Sequence, residues 1–181
     1  MPCLILCGHP CAGKTRLAEL IRDRALALHN NNNNNDESSS NTNKTKIRHV
    51  MIINEATACP DQSIAACYAT SQAEKRTRGA LKSAFDRSVG ENDASTLVIL
   101  DSGNYIKGFR YELHCISKAS GQQHGVVWVM NTSQLCKQWN QARRQEEEEQ
   151  AKSHGSDATA YYSDALMDEL ILRFEPPDAR T

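Results

Sequence analysis

The sequence predicts an α/β fold in which a parallel sheet carries helices on both faces. The main observation is an alternation along the chain: short apolar runs typical of buried strands are followed by segments with helical spacing of apolar residues. The second observation is length, because 181 residues are enough for one domain with a sizeable core.

Four apolar runs have the length and composition of buried strands. The first is closed by Gly8, and the third ends at Asp101. The four strands are predicted at residues 3–7, 50–53, 96–100 and 125–130.

Helices are predicted between and after these strands. Ser71 and Glu74 have the spacing of a capping box, in which two side chains satisfy the first backbone N–H groups. Thr132 or Ser133 can cap a later helix and Ser163 the last one, while Trp128 and Trp139 are expected in the core. The helices are predicted over residues 13–28, 71–88, 111–119, 133–142 and 164–174.

Two segments are too polar to bury apolar surface. Residues 30–45 begin with six asparagines and continue with serine, asparagine and lysine, which predicts a disordered insert. Residues 143–162 are charged and small, which predicts a mobile lid.

Composition excludes several functional classes. Basic and acidic residues are nearly balanced, 21 against 22, so a large nucleic-acid footprint is not expected, although a local basic patch stays open. No apolar run approaches the roughly 20 residues that cross a bilayer, so no membrane association is expected. The seven cysteines lack metal-binding spacing and are expected to be reduced thiols in the cytoplasm or nucleus.

Residues 8–15 fit the pattern G-x-x-x-x-G-K-[ST], which is typical of loops that bind phosphate. Glycines let successive N–H groups point at one phosphate, and the following helix presents its positive dipole end. Lys14 would reach the β- and γ-phosphates, and the Thr15 hydroxyl would ligate Mg²⁺. The alternative is a glycine turn, which needs neither side chain. The candidate nucleotide-binding residues are Gly8, His9, Pro10, Cys11, Ala12, Gly13, Lys14, Thr15 and Arg16.

A carboxylate follows the third predicted strand. Asp101 at the end of a neighbouring strand can hold Mg²⁺ through water. The alternative is a turn aspartate, since Ser102 and Gly103 follow it. The phosphate loop favours the magnesium interpretation.

Five segments resemble the Elongator-associated Kti-twelve family of ATPases, which is related to the kinase that phosphorylates seryl-tRNA before selenocysteine is made. The segment NYIKGFRYEL is the most specific of them, because no general rule for phosphate loops demands it. The segments are GHPCAGKT, EKRTRGALKSAFDR, LDSGNYIKGFRYELHCISK, CKQWNQARR and LILRFEPPD.

The resemblance implies a P-loop kinase-like fold that binds ATP and Mg²⁺ and an ATPase activity stimulated by tRNA. It also implies support of the Elongator complex, which modifies wobble uridines in tRNA anticodons. Residues 1–181 would form the ATPase domain as a monomer. The family's C-terminal tRNA-binding domain is expected to be absent from this chain.

The lid segment begins with two arginines, and the resemblance favours Arg143 as the cation that closes over the nucleotide. Consecutive helical residues point about 100° apart, so only one of Arg143 and Arg144 would face inward. The alternative is that both are solvated and pair with glutamates 146–149.

The second strand ends at Asn54-Glu55, where related small-molecule kinases carry a carboxylate at the Asn54 position. An amide cannot accept a proton as a general base. Glu55 could do so, or orient water, or be an exposed strand-end carboxylate. The missing base favours hydrolysis over phosphorylation of an aminoacyl-tRNA. A nucleotide-gated binding module with negligible turnover is the other alternative. The catalytic candidates are Lys14, Asp101, Arg143 and Glu55.

Basic residues also lie on the helix after the second strand and on the expected loop after Asp101. They could contact the tRNA backbone, or simply form a solvated face. The candidate tRNA contacts are Lys75, Arg78, Lys107 and Arg110.

Overall fold

A computed structural model of the chain describes residues 1–32, 47–91, 94–154 and 161–178. The strands are β1 (Pro2–Cys7), β2 (His49–Ile53), β3 (Thr96–Asp101) and β4 (Gln123–Trp128). The helices are α1 (Lys14–Asn32), α2 (Glu55–Ala58), α3 (Ile64–Tyr68), α4 (Ser71–Glu91), α5 (Lys107–Ala119), α6 (Ser133–His154) and α7 (Asp164–Leu172).

The four strands form one sheet in the order β2-β3-β1-β4, and each neighbouring pair is parallel. Alternate residues of a strand point to opposite faces of the sheet. On one face Ile99 of β3 packs in a cluster with Ala18 of α1. On the other, Leu100 packs with Phe85 of α4 and Leu113 of α5. The predicted parallel sheet with helices on both faces is therefore confirmed.

The strand predictions are the most accurate. Each of the four predicted strands is present, and β4 is displaced most, since it was predicted at residues 125–130 and covers Gln123–Trp128. Buried parallel strands are continuous apolar runs, so their boundaries are visible in the sequence.

The helix boundaries differ more from expectation. The short helices α2 and α3 were not predicted, and α5 begins at Lys107 instead of residue 111. The capping box proposed at the start of α4 is wrong. The hydroxyl of Thr70 accepts from the Ala73 N–H (3.1 Å) and caps the helix.

Glu74, the other half of the proposed capping box, has a tertiary role. Its carboxylate is buried and binds Arg78 and Arg173, the latter through two contacts of 2.9 Å. The Arg173 guanidinium also lies over the Tyr105 ring, 5.3 Å from its centroid. These contacts attach the end of α7 to α4, although the two helices are far apart in the sequence.

Both segments predicted to be irregular begin as helix. Helix α6 continues to His154, so the loop predicted from residue 143 is wrong over residues 143–154, and residues 155–160 lie outside the described residues. Helix α1 likewise continues to Asn32, and residues 33–45 of the predicted insert lie outside the described residues. Glu, Gln, Lys and Ala are good helix formers, so polarity alone did not end α6.

The two tryptophans were wrongly assigned to the core. Trp128 on the edge strand β4 is 38% exposed, and Trp139 on α6 is 44% exposed. Among the described helices, none combines the length and the apolar character needed to cross a membrane. All seven cysteines carry free thiols.

Truncation of Leu113 tests the packing of α5 against the sheet. Leu113 is fully buried, so Leu113→Ala should lower the free energy of unfolding by about 2–5 kcal/mol through lost burial and a residual cavity. Leu172, which is 86% exposed, provides the matched control: Leu172→Ala should change stability by no more than about 0.5 kcal/mol. Urea unfolding measures both, and similar losses would contradict the described core.

Candidate active site

The carboxyl ends of three strands meet at one edge of the sheet. Leu6 of β1 pairs with Asp101 of β3, and Ile53 of β2 pairs with Leu100. The loop after β1, the Asp101 carboxylate and the start of α2 at Glu55 therefore surround one cleft, with a volume of about 430 Å³. This volume suits a small-molecule site.

The loop between β1 and α1 has a backbone that most residues would not adopt. Gly8 has φ +150°, Gly13 has φ +93° and Cys11 has φ +57°. A Cβ on Gly8 would lie 2.6 Å from the carbonyl oxygen of Val129, a backbone atom that cannot move aside easily. Both pattern glycines are thus required by local geometry.

Lys14 lies over this loop. Its Nζ donates to the carbonyl oxygens of His9 (2.7 Å) and Gly8 (3.2 Å). Burial lowers the pKa of Lys14, while the charges of Asp101 and Glu55 act in the opposite direction. The amino group sits between the loop and the carboxylates, where it can pair with a phosphate.

The start of α1 faces the cleft, and its first backbone N–H groups have no partner within the helix. The Leu17 N–H donates to the Gly13 carbonyl oxygen (3.0 Å), which is a bond of the helical type. The N–H groups that precede Leu17 lie in the first turn, where a helix offers no acceptor. The cleft is lined by loop and helix residues including Pro10, Cys11, Ala12, Gly13, Lys14, Thr15 and Arg16. These donors and the helix dipole favour an anion at this position.

The side chains of His9 and Cys11 pack within the protein. The His9 ring lies edge-on to Phe174, with centroids 4.9 Å apart, and burial lowers the pKa of His9. The Cys11 thiol donates to Oδ1 of Asn140 (3.6 Å). The loop is therefore attached to α6 and to the segment after α7.

Asp101 is almost fully buried and only partly satisfied. Its Oδ2 makes no hydrogen bond within the described part of the chain. Burial raises the pKa of Asp101, and a hydrogen bond with Thr15 and the charge of Lys14 oppose that rise. A buried carboxylate oxygen without a partner, next to a threonine hydroxyl, suits a hard cation such as Mg²⁺.

Asn54 and Glu55 have separate roles. Asn54 is the N-cap of α2: its Oδ1 accepts from the Thr57 N–H (3.0 Å). The Glu55 carboxylate turns into the cleft and is only 8% exposed, so the alternative of an exposed strand-end carboxylate is wrong.

Two hydroxyls that the sequence analysis missed hold Glu55. Its Oε1 accepts from Tyr68 (2.5 Å) and from Ser102 (2.7 Å), and both donors are buried. Burial, and then the charge of Glu55, raise the pKa of Tyr68 well above its usual value, so the phenol remains a donor. The sequence analysis missed Tyr68 because the short helix α3 was not predicted, although Tyr68 lies only 13 residues after Glu55.

The two lid arginines point in different directions. Arg143 lines the cleft together with Trp139, whereas Arg144 pairs with Glu148 (2.8 Å) and lies over the Tyr161 ring at 5.6 Å. The two side chains diverge because consecutive residues of a helix point about 100° apart. The catalytic role of Arg143 stays a prediction.

Asn140 was also missed as a structural contact. Its side chain makes two hydrogen bonds with the Tyr162 backbone, at 2.7 and 2.9 Å, and accepts from Cys11. Asn140 thus connects the phosphate loop, α6 and the chain that leads into α7.

Comparisons with known proteins identify the family and the fold of this chain. The family model described as "Chromatin associated protein KTI12" matches residues 1–181. The chain belongs to the KTI12 family. The protein KTI12 homologue of Danio rerio is 37% identical over 180 residues, covering 99% of this chain and 53% of that relative. The Arabidopsis thaliana homologue is 35% identical, covering 99% and 49%. The chain spans about half the length of these curated relatives.

The crystal structure of Chaetomium thermophilum Kti12 in complex with ADP-AlF3 superposes with a TM-score of 0.67 and 26% identity, covering 99% of this chain and 84% of that one. The Mycobacterium tuberculosis APS kinase CysC superposes with a TM-score of 0.58 at 13% identity, covering 97% and 83%. The second match shows the fold alone, which is that of the P-loop kinases.

One predicted tRNA contact of this KTI12 family chain needs correction. Arg110 is 6% exposed, and its guanidinium donates to the carbonyl oxygens of Asn104 and Glu175, both at 2.8 Å. It lies on α5, not on a loop, and stabilises the segment after β3. A phosphate contact would require breaking these buried bonds, so Arg110 is a structural residue.

The other three candidates are more accessible. Lys75 and Lys107 are exposed, and Lys107 also lies on α5 instead of a loop. Arg78 is half-buried and pairs with Glu74. A tRNA contact at Lys75, Arg78 or Lys107 stays a prediction.

A glycine pair tests the loop geometry. Gly8→Ala should lower the free energy of unfolding by about 1–3 kcal/mol, because the φ of +150° and the Val129 carbonyl both oppose a Cβ. Gly79→Ala is the control: Gly79 lies within α4 with nothing within 4 Å of a new Cβ, so it should stabilise by about 0.5–1 kcal/mol. Equal effects in urea unfolding would argue against this loop conformation.

Proposed function

We propose that this chain binds ATP together with Mg²⁺ and hydrolyses it, with turnover stimulated by tRNA. The observation that carries the proposal is the buried Oδ2 of Asp101, which has no hydrogen-bond partner among the described residues and lies beside the phosphate loop, Lys14 and Thr15. The ADP-AlF3 in the Chaetomium thermophilum Kti12 complex supports the choice of nucleotide, because that relative has the same fold and 26% identity.

Each residue has a defined part in this proposal. The amides at the start of α1 and the Lys14 ammonium bind the phosphates, and Thr15 and Asp101 hold the Mg²⁺. The metal would neutralise charge that develops on the phosphate oxygens. Since phosphoryl transfer depends mainly on positioning and charge neutralisation, this set of groups is suited to the reaction.

Hydrolysis is favoured over transfer to a substrate hydroxyl. Asn54 caps α2 and cannot act as a base, whereas the carboxylate of the neighbouring Glu55 reaches the cleft. A buried carboxylate with two hydroxyl partners is suited to orienting a water molecule.

Membership of the KTI12 family supports a proposal for the wider role. We propose that the activity supports the Elongator complex in wobble-uridine modification of tRNA, in the cytoplasm and the nucleus, and that the chain acts as a monomer. Exposed Lys75 and Lys107 provide positive charge for the tRNA backbone.

Loss of two central groups tests the enzyme assignment. Lys14→Ala and Asp101→Asn should each lower the rate of phosphate release from ATP by about 10²-fold or more, because each removes charge stabilisation at the reacting phosphate. Lys82→Ala is the control: Lys82 pairs with Glu112 on the surface, so the rate should not change.

Three outcomes would contradict this assignment. If both variants release phosphate at the parental rate, this cleft is not the site of ATP hydrolysis. Tight ATP binding without phosphate release, whether or not tRNA is present, would favour a nucleotide-gated binding module. Transfer of the terminal phosphate of labelled ATP to an aminoacyl-tRNA would favour a kinase.

The two lid arginines offer a matched pair. Arg143→Ala should lower kcat about 10²–10³-fold, because Arg143 lines the cleft where charge develops. Arg144→Ala should leave kcat close to the parental value, since Arg144 is directed at Glu148. Steady-state phosphate release measures both, and equal losses would argue against a specific role for Arg143.

A further inference from the structure

Three buried side chains form a polar network at the inner wall of the cleft. Oε1 of Glu55 accepts hydrogen bonds from the hydroxyls of Tyr68 (2.5 Å) and Ser102 (2.7 Å). The three residues are 8%, 6% and 4% exposed, respectively, and all three line the cleft. They come from α2, α3 and the segment that follows β3.

The two donors leave the other carboxylate oxygen available. Oε1 receives both hydrogen bonds, and within the described part of the chain Oε2 of Glu55 has none. A carboxylate accepts but does not donate, so Oε2 can accept from a water molecule in the cleft. The network therefore fixes which oxygen is used.

The Tyr68 hydroxyl is itself held in place. Its ring packs against Tyr105 and Tyr162, with centroids 6.5 and 6.2 Å away. Thr77 of α4 donates to the carbonyl oxygen of Cys67 (3.1 Å), which fixes the end of α3. A donor on a packed ring can position a carboxylate more firmly than a solvated one.

We propose that Tyr68, assisted by Ser102, is a positioning residue that directs Oε2 of Glu55 at the water that attacks ATP. This inference rests on the proposed function and adds the residues that organise its base. Glu55 touches the water, whereas Tyr68 acts only through Glu55.

The water oxygen forms a bond to the terminal phosphorus of ATP, and the bond from that phosphorus to the bridging oxygen breaks. The electron pair of the broken bond stays on the ADP oxygen. The proton released by the water passes to Oε2 of Glu55, which returns it to solvent.

The test compares Tyr68→Phe with Tyr111→Phe, which removes the same hydroxyl from a residue that is 67% exposed on α5. Tyr68→Phe should lower kcat about tenfold, a part of the 10²–10⁴-fold that a general base contributes, with the KM for ATP unchanged. Tyr111→Phe should match the parent. Phosphate release by the chain, with tRNA present, gives both constants.

A double-mutant cycle separates positioning from a structural role. In a Glu55→Gln background, Tyr68→Phe should cause no further fall in kcat, because the carboxylate base that Tyr68 positions has been replaced by an amide. An additive loss of kcat in the double variant would overturn the inference. A Tyr68→Phe variant with a raised KM and a lowered melting temperature would also overturn it, because those changes indicate a structural role. If Tyr68→Phe does not fold, Ser102→Ala carries the same cycle, since that hydroxyl binds the same oxygen.

The two levels of proposal fail differently. Turnover in the parent with an unchanged kcat in both Tyr68→Phe and Ser102→Ala would refute the inference alone. No turnover in the parent would refute the proposed function and the inference together.

Discussion

The register of β1 against β3 is the constraint on which the rest of the site depends. Pairing of Leu6 with Asp101 places the start of the phosphate loop beside the carboxylate. A shift of one residue would turn the Asp101 side chain to the other face of the sheet, because side chains alternate along a strand. The Gly8 N–H also reaches the Gly103 carbonyl (3.4 Å), so the two strand ends continue to contact each other beyond the sheet.

Residues of the segment NYIKGFRYEL connect the ends of β1 and β3. Asn104 has φ +44° and donates to the carbonyl oxygen of Leu6 (2.7 Å) and that of Leu100 (3.4 Å), which bridges β1 and β3. Arg110 then binds the carbonyl oxygens of Asn104 and Glu175. A buried arginine with backbone partners stabilises a conformation that no general phosphate-loop rule requires.

The α6 side of the cleft is connected to the phosphate loop by a second set of contacts. Asn140 binds Cys11 of the loop and the Tyr162 backbone, and Tyr162 packs near Tyr68. The Glu55 network, the phosphate loop and α6 are thus joined through packed side chains. Asn140 thus connects α6 to the phosphate loop and to the chain that leads into α7.

The sequence by itself determined the strands, the parallel α/β class and the phosphate loop, because apolar runs and the Gly8, Gly13 and Lys14 pattern are local signals. Only the tertiary structure decided which carboxylate and which arginine face the cleft. Glu55 is oriented by Tyr68 and Ser102, and Arg110 is held inside the protein by the carbonyl groups of Asn104 and the distant Glu175. Burial and hydrogen bonding of this kind depend on partners that the fold brings together from separate parts of the chain, so no local pattern reports them.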